Sequence, residues 1–217
     1  MTNVYRCSDR QERERALGLA ATLINRGGVV LAPADSSYAL IADAFNPDAV
    51  GELLKLKGRD RSSVVPVLVA SSTTVSGLVY EMDSNAHLLM DAFWPGELTL
   101  ILRSAPTLAW DLGATLGTVS VRMPSNALLL ELLERTGPVA AMSANRLGLP
   151  APTSLAQAEQ VLGELEALDL ILDDGELTPS PPSSIVDLNS STPTLVRAGG
   201  ITVDQIRAVI SDLVVLE

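Results

Sequence analysis

The segment VVLAPADSSYALIA, residues 29–42, contains two short apolar runs separated by a polar turn. VVLAP is typical of a short buried strand, and SYALIA is typical of a second one. Strands that follow each other this closely are favoured as hairpin-like neighbours in a sheet. The segment therefore predicts a β-rich centre, and the elements around it decide which kind of sheet forms.

Helices are predicted on both sides of this segment. Ser8 and Gln11 resemble a capping box for a helix over residues 9–26. Pro47 is typical of the first position of a helix, and Gly58 ends the apolar pattern that follows it. Farther along, strands are expected at 64–69, 97–102, 117–124, 138–145, 168–172, 183–188 and 194–198, and helices at 73–93, 127–135, 155–162 and 201–213.

Interleaved helices and strands, with hairpin-like neighbours as well as crossovers, predict one α/β domain over residues 1–217 with a mixed sheet. Pro66 predicts that its strand is an edge strand or contains a bulge, because proline cannot donate to a sheet ladder. The Pro- and Ser-rich run LTPSPPSS, residues 177–184, is expected to form a mobile loop.

Composition narrows the class of protein. The net charge of -11 disfavours direct binding of duplex nucleic acid, which depends on positive surface charge. The apolar runs are too short for a membrane span, and the polar N-terminus has no signal-peptide core, so we expect a cytoplasmic protein. Cys7 is the only cysteine in the sequence, which excludes an intramolecular disulfide and a multi-cysteine metal site.

Several common chemistries have no matching motif. The sequence contains neither the P-loop pattern nor Gly-x-Gly-x-x-Gly. His87 is the only histidine, and it lies in an amphipathic helix pattern that favours a boundary position over a catalytic one. These observations favour a protein that binds and polarises charged substrates.

The run KLKGRDR, residues 55–61, is the most cationic segment of this acidic chain and holds its only two lysines, Lys55 and Lys57. Positive charge at a helix C-terminus is itself stabilising, so a structural role stays open. Elsewhere, however, Arg122 and Arg197 are predicted at strand ends, where α/β sheets often place binding residues. Guanidinium and ammonium groups suit phosphate and carboxylate ligands.

Seven segments of the sequence carry a common pattern when they are taken in order. They are PADSSYAL (33–40), KGR (57–59), FWPGELTLIL (93–102), TVSVRMP (118–124), SAN (143–145), SSIVDL (183–188) and LVRAGGI (195–201). Together they resemble the YrdC-like family, the threonylcarbamoyl-AMP synthases. The resemblance covers nearly the whole chain from residue 28, and the order of the motifs makes it specific although each motif alone is weak.

The resemblance implies a twisted mixed sheet with flanking helices around a positively charged cavity. It also implies that ATP, L-threonine and bicarbonate, with Mg²⁺ on the triphosphate, give threonylcarbamoyl-adenylate and pyrophosphate, and that a partner enzyme transfers the threonylcarbamoyl group to tRNA. Carried over residue by residue, the resemblance assigns catalysis to Lys57, Arg59, Ser143 and Asn145. It assigns ATP binding to Lys57, Arg59, Ser63, Thr118, Ser143, Asn145 and Arg197, and L-threonine binding to Ser36, Arg122 and Ser183; it assigns no metal ligand.

The chain departs from the family pattern at several motif positions. Ser36 replaces the usual Thr, and Ala39 replaces Gly beside it. After Lys-Gly-Arg the family usually has a Lys or Asn that can bind phosphate, and in this sequence Ser63 is the residue left for that role. The remaining differences are Leu147 and Ala151 in place of Ser, and Ala198 in place of Pro.

Three hypotheses therefore follow from the sequence. The first is an active threonylcarbamoyl-AMP synthase. The second is a relative that acts on another carbamoylated or adenylated small molecule. The third is a non-catalytic RNA-binding or regulatory protein, against which the acidic charge counts because RNA binding requires a basic face.

Overall fold

The computed structural model describes residues 3–146, 148–162 and 168–215. In these ranges eleven strands form one sheet, accompanied by seven helices. None of the described helices is both long and apolar enough to cross a membrane. The strands are β1 (Asn3–Arg6), β2 (Val30–Pro33), β3 (Tyr38–Asp43), β4 (Val67–Leu68), β5 (Leu98–Arg103), β6 (Thr118–Arg122), β7 (Val139–Ser143), β8 (Leu170–Asp173), β9 (Ser184–Asp187), β10 (Thr194–Arg197) and β11 (Val214–Val215). The helices are α1 (Arg10–Asn25), α2 (Pro47–Leu56), α3 (Ser72–Val75), α4 (Ser84–Phe93), α5 (Ala127–Thr136), α6 (Leu155–Leu162) and α7 (Val203–Val209).

The sheet is mixed, which confirms the predicted fold class. Its strands lie in the order β1-β8-β2-β3-β7-β4-β6-β5-β9-β10-β11. The two strands predicted in residues 29–42 form as β2 and β3, which pair antiparallel, with Val30 opposite Ile41 and Pro33 opposite Tyr38. Parallel pairs such as β4 with β6 and β5 with β9 alternate with antiparallel ones along the sheet.

Each face of the sheet has its own apolar core. On one face, α2 packs Val50, Leu53 and Leu54 into a large cluster with residues from most of the strands. On the other face, α1 and α5 cover the strands β1, β8, β2, β3, β7 and β4 with leucines such as Leu17 and Leu132, both fully buried. The second cluster ends at β4, and no helix of that cluster continues over β6, β5 and β9.

Capping residues read from the sequence correctly predict the starts of α2 and α7, and the cap predicted for α1 is off by one residue. Asn46 caps α2 by accepting from the backbone N–H of Asp48 and Ala49, with Pro47 at the first position. Thr202 forms a capping box with Gln205 at α7. At α1, however, the cap is Asp9 and not Ser8, because the Asp9 carboxylate accepts from two backbone N–H groups of the first turn.

The strand around Pro66 was predicted as an edge strand or a bulge, and the edge position is wrong. Residues 67 and 68 form β4 inside the sheet, between β7 and β6. The proline is tolerated there because it precedes this short ladder and serves as an acceptor, taking a hydrogen bond from Ala141 N. The helices predicted within 73–93 form as a pair, α3 and α4, with a gap between them, whereas the helix predicted at 201–213 is shorter than expected. Residues 177–183 contain no helix or strand.

Candidate functional site

The register of the sheet puts Arg122 and Ser143 on the same face. Arg122 lies opposite Leu68, and Leu68 lies opposite Val139. Paired residues project to the same side of a sheet, and so do residues two apart along one strand. Ser143 is four positions after Val139 in β7, so it projects to the face of Arg122 and of the α1–α5 cluster.

The same reasoning extends this face across the strands that α1 and α5 leave uncovered. Thr118 and Ser120 alternate with Arg122 in β6, and Ser120 lies opposite Ile101 of β5, two residues after Thr99. The Thr99 hydroxyl is 2.9 Å from the hydroxyl of Ser183, which immediately precedes β9. We call the uncovered part of this face, carrying Thr99, Thr118, Ser120, Arg122, Ser183 and Arg197, the open half, and the part beneath α1 and α5 the covered half. Ser143 is the exposed last residue of β7, a strand of the covered half.

Lys57 and Lys55 have opposite environments, as their spacing on a helix predicts. Lys57, the C-cap residue of α2, is only 6% exposed, whereas the Lys55 side chain is 72% exposed and pairs with Glu52. Gly58 then ends the helix with a φ of +64°, a backbone conformation that favours glycine, and so turns Arg59 away from the helix axis.

The Lys57 ammonium holds the end of β7 and the residues that follow it. It donates to Ser143 O at 2.6 Å, to Asn145 Oδ1 at 2.7 Å and to Asn145 O. An ammonium has three donors, so all three are used within the protein. Burial, with a smaller contribution from Arg59, lowers the pKa of Lys57 to about 8. The structure thus joins three of the four residues expected to be catalytic, and a phosphate that contacts Lys57 must replace one of these acceptors.

Arg59 and Ser63 lie on the segment after α2. The Nε–H of Arg59 is buried and has no hydrogen-bond partner among the described residues. Arg59 also lines a surface cavity of about 460 Å³ with Leu54 and Lys55 of α2. Ser63 is half-buried and packs against the backbone of Gly113. No contact between Ser63 and the Lys57 cluster is present among the described residues, so its phosphate role stays a prediction.

A second cationic cluster lies at the other end of the open half. Arg197 donates from Nε and Nη2 to Ser183 O at 2.9 and 2.7 Å, and from Nη2 to Ser183 Oγ at 2.9 Å. Gly199 permits this close approach, since a Cβ there would lie 2.1 Å from Pro182 O. Burial lowers the pKa of Arg197, and burial together with the charge of Arg197 lowers the pKa of Arg122 to about 10.

Two predicted site residues, Ser36 and Thr118, lie outside these clusters, and three further positions depart from the family pattern. Ser36 is half-buried in the turn between β2 and β3. Thr118 opens β6, and its hydroxyl donates to Thr115 O at 2.7 Å. Ala39, the residue in place of the family glycine, is buried opposite Ser143 in the sheet. Ala151 is half-buried before Pro152, and Leu147 lies outside the described residues.

Two residues with polar contacts in the open half were not assigned a role from the sequence. Asp35 forms an ion pair with Arg122, and Thr99 contacts Ser183. Both lie inside quoted motifs, PADSSYAL and FWPGELTLIL, so a signal was present. Their contacts could not be read from it because the partners are more than 80 positions away.

Comparison with known proteins identifies the fold and the family. A family model for Sua5, YciO and YrdC, described as "Telomere recombination", matches residues 22–199. A Mycobacterium tuberculosis protein provisionally named a threonylcarbamoyl-AMP synthase is 42% identical over 97% of this chain and 96% of its own length. The Pyrococcus abyssi threonylcarbamoyl-AMP synthase is 34% identical over 98% of this chain and 62% of its own.

The solved structures agree with this assignment. The crystal structure of P. abyssi Sua5 in complex with L-threonine matches all of this chain and 62% of that one, with a TM-score of 0.89 and 31% identity. Escherichia coli YciO matches 92% of this chain and 96% of its own, with a TM-score of 0.78 and 25% identity. The chain belongs to the Sua5/YciO/YrdC family.

Proposed function

We propose that this chain forms threonylcarbamoyl-AMP from L-threonine, bicarbonate and ATP, with release of pyrophosphate. The threonylcarbamoyl-AMP synthase name of the P. abyssi relative and the L-threonine in its crystal structure support this activity. Neither of the two alternative hypotheses gains support from a specific feature of the described residues. The acidic net charge of -11 continues to count against RNA binding.

One observation of this structure supports the proposal most directly. Two buried side-chain atoms lack a hydrogen-bond partner among the described residues, and they are the Nε atoms of Arg59 and Arg122. A buried donor left unpaired costs about 1–3 kcal/mol, so such groups are rare unless a ligand completes them. Both arginines lie in segments expected to bind anions, one the ATP phosphates and the other the threonine carboxylate.

The two clusters suit the two halves of the reaction. The threonine amine and bicarbonate combine to a carbamate with loss of water, and a carbamate oxygen then attacks the α-phosphorus of ATP and expels pyrophosphate. Arg122, Ser183 and Ser36 would hold the amino acid. Lys57, Arg59, Ser143 and Asn145 would stabilise the negative charge that develops on the phosphate, with Ser63, Thr118 and Arg197 as further ATP contacts.

Mg²⁺ would accompany the triphosphate. Magnesium commonly keeps several waters and binds through substrate phosphates with one or two carboxylates. In the described ranges no group of three or more His, Cys, Asp or Glu side chains is placed to hold a metal ion. The ion would neutralise phosphate charge, and we further propose transfer of the adenylate product to a tRNA threonylcarbamoyl transferase.

Mass spectrometry of the product tests the proposed function. The protein is incubated with ATP, Mg²⁺, bicarbonate and L-threonine, and pyrophosphate is measured in parallel. We expect threonylcarbamoyl-AMP and an equal amount of pyrophosphate, both dependent on threonine and bicarbonate. Pyrophosphate release with a different amino acid and none with L-threonine would support the second hypothesis instead.

A further inference from the structure

Asp35 is a carboxylate in the turn between β2 and β3 whose side chain is only 7% exposed. Its Oδ1 accepts from Ser125 N at 2.7 Å, from Ser125 Oγ at 2.9 Å and from Asn126 N at 2.7 Å. Its Oδ2 accepts from Arg122 Nη2. One carboxylate therefore connects the β2–β3 turn, the end of β6 and the start of α5.

Burial of a carboxylate is unfavourable unless the charge is paired and its oxygens are hydrogen-bonded. Asp35 meets both conditions, with one cation and three further donors. Removal of the charge alone leaves a polar side chain of similar size in place. The three donors on the α5 side can then still be satisfied by the amide oxygen, whereas the amide NH2 faces Arg122 Nη2 as a second donor, so the contact with Arg122 is lost.

The orientation of Arg122 depends on this contact. Burial and the like charge of the Arg197 guanidinium both lower the pKa of Arg122, so the buried cation gains from a carboxylate partner. Among the described residues Asp35 is the carboxylate within ion-pair distance of Arg122. Because Asp35 engages Nη2, the buried Nε–H remains available for another acceptor.

We infer that Asp35 is a positioning residue for the amino-acid substrate, which holds the Arg122 guanidinium so that its free N–H receives the threonine carboxylate. This inference rests on the proposed function. It assigns to Asp35 an effect on carboxylate recognition and none on ATP binding. The same turn carries Ser36, so Asp35 also fixes the segment that is expected to contact the amino acid.

The test is Asp35→Asn in the complete chain, with Asp43→Asn as a matched control. Asp43 likewise accepts a backbone N–H in a turn, from Phe45 at 2.9 Å, but at the opposite end of β3. For Asp35→Asn we expect the KM for L-threonine to rise by about 10- to 100-fold, since a charge-assisted contact is weakened. The KM for ATP and kcat at saturating threonine should stay near the wild-type values, and Asp43→Asn should change none of the three.

L-Threoninamide, which lacks the carboxylate, separates positioning from a structural role. Wild-type protein should prefer threonine strongly over threoninamide, and Asp35→Asn should reduce that preference by a factor similar to the rise in KM. A residue that only stabilises the fold would lower the fraction of active protein without changing the KM for threonine or the preference for threonine over threoninamide. An unchanged KM for threonine, or an unchanged preference, would overturn the inference.

Two further results keep the outcomes distinct. If Asp35→Asn does not fold, Asp35→Glu keeps the charge on a longer side chain. It should fold and show a smaller rise in the threonine KM with the ATP KM unchanged, and equal rises in both would overturn the inference.

If the wild-type protein makes no threonine adduct, the proposed function fails; if it does and Asp35→Asn behaves like wild type, only the role of Asp35 fails.

Discussion

The covered and open halves are two parts of one sheet face, and they differ in what lies over them. In the covered half, strand residues such as Ala32, Ile41 and Ala141 are buried beneath α1 and α5. In the open half, the equivalent positions of β6 are Thr118, Ser120 and Arg122, which stay partly accessible, whereas those of β5 include the buried Thr99. The opposite face is apolar along both halves.

From this difference we expect stability and binding to depend on different halves of the face. α1 and α5 pack on each other and are further joined by the Arg13–Glu131 and Arg135–Glu14 ion pairs. They cover one half, and β7, a strand of that half, ends at Ser143. Substitutions in the covered half should therefore change unfolding, whereas substitutions in the open half should change catalysis.

The largest expected effect is on the covered half. Leu132→Ala removes a fully buried side chain of α5 and should lower the free energy of unfolding by about 2–5 kcal/mol. Urea denaturation measures this change, and KM values of the folded protein should be unchanged. Leu88→Ala, on an exposed position of α4, is the control and should cost far less. Altered KM values in Leu132→Ala would show that the two halves are coupled.

The next effect distinguishes the two lysines. Lys57→Ala removes the cation that organises Ser143 and Asn145 and should lower turnover by about 10²–10³-fold. Lys57→Arg should restore little, because a planar guanidinium cannot occupy the place of a compact ammonium. Lys55→Ala should leave turnover near normal and change stability by less than about 1 kcal/mol. Similar losses of turnover in both alanine variants would mean that residues 55–61 act only as a charged helix end.

A smaller effect is expected at Ser36, in the turn beside the open half. Ser36→Thr adds one methyl group and should shift the preference for threonine over serine by about 1–3 kcal/mol while pyrophosphate release persists. Competition between the two amino acids, with each adduct quantified by mass, measures the shift. An unchanged preference would mean that Ser36 does not line the amino-acid pocket.

The smallest expected effect is the pH dependence of the free energy of unfolding. The folded pKa of Lys57 is about 8, below its ordinary value of 10.5, so the unfolded chain binds more protons between these two values. The contribution of Lys57 to the free energy of unfolding therefore rises with pH through that window and is least favourable below pH 8, with a slope of at most about 1.4 kcal/mol per pH unit. Burial raises the pKa of Cys7 from 9.0 to about 12, which gives the opposite slope above pH 9.

The measurement is therefore restricted to pH 8–9 and made as a difference from Lys57→Met, in which the other groups cancel. We expect the free energy of unfolding of wild type to increase relative to this variant across the window. A difference that does not change with pH would mean that Lys57 is solvated in the folded protein.

Sequence patterns predicted the elements that are stabilised locally. The amphipathic α2 and α5, and the β2–β3 pair, were recovered because their apolar periodicity and caps lie within each segment. β1 and β11 were missed: β1 is largely exposed, and its strand conformation depends on pairing with β8 far along the chain. The strand propensity of the residues in β1 contains no information on a partner strand so far along the chain.

For the candidate site, the sequence motifs name residues, whose roles stay predictions, and they do not give the arrangement of those residues. Motifs singled out Lys57, Ser143 and Asn145, which the structure joins. That Arg122 projects to the same face follows only from the pairings through Leu68, and the role of Asp35 follows only from donors that are about 90 positions away. Both depend on tertiary packing, which a single sequence does not specify.

The strand order also has a consequence for synthesis on the ribosome. β8 lies between β1 and β2, and Val30 of β2 pairs with Leu170, which is made 140 residues later. At about 5–20 residues per second, the β2–β3 hairpin waits roughly 7–28 s before its outer neighbour exists. During that interval the unpaired edge of β2 is open to association with other nascent chains. The same long separations place this chain among slow-folding topologies, in which chaperone binding to the N-terminal hairpin would have time to act.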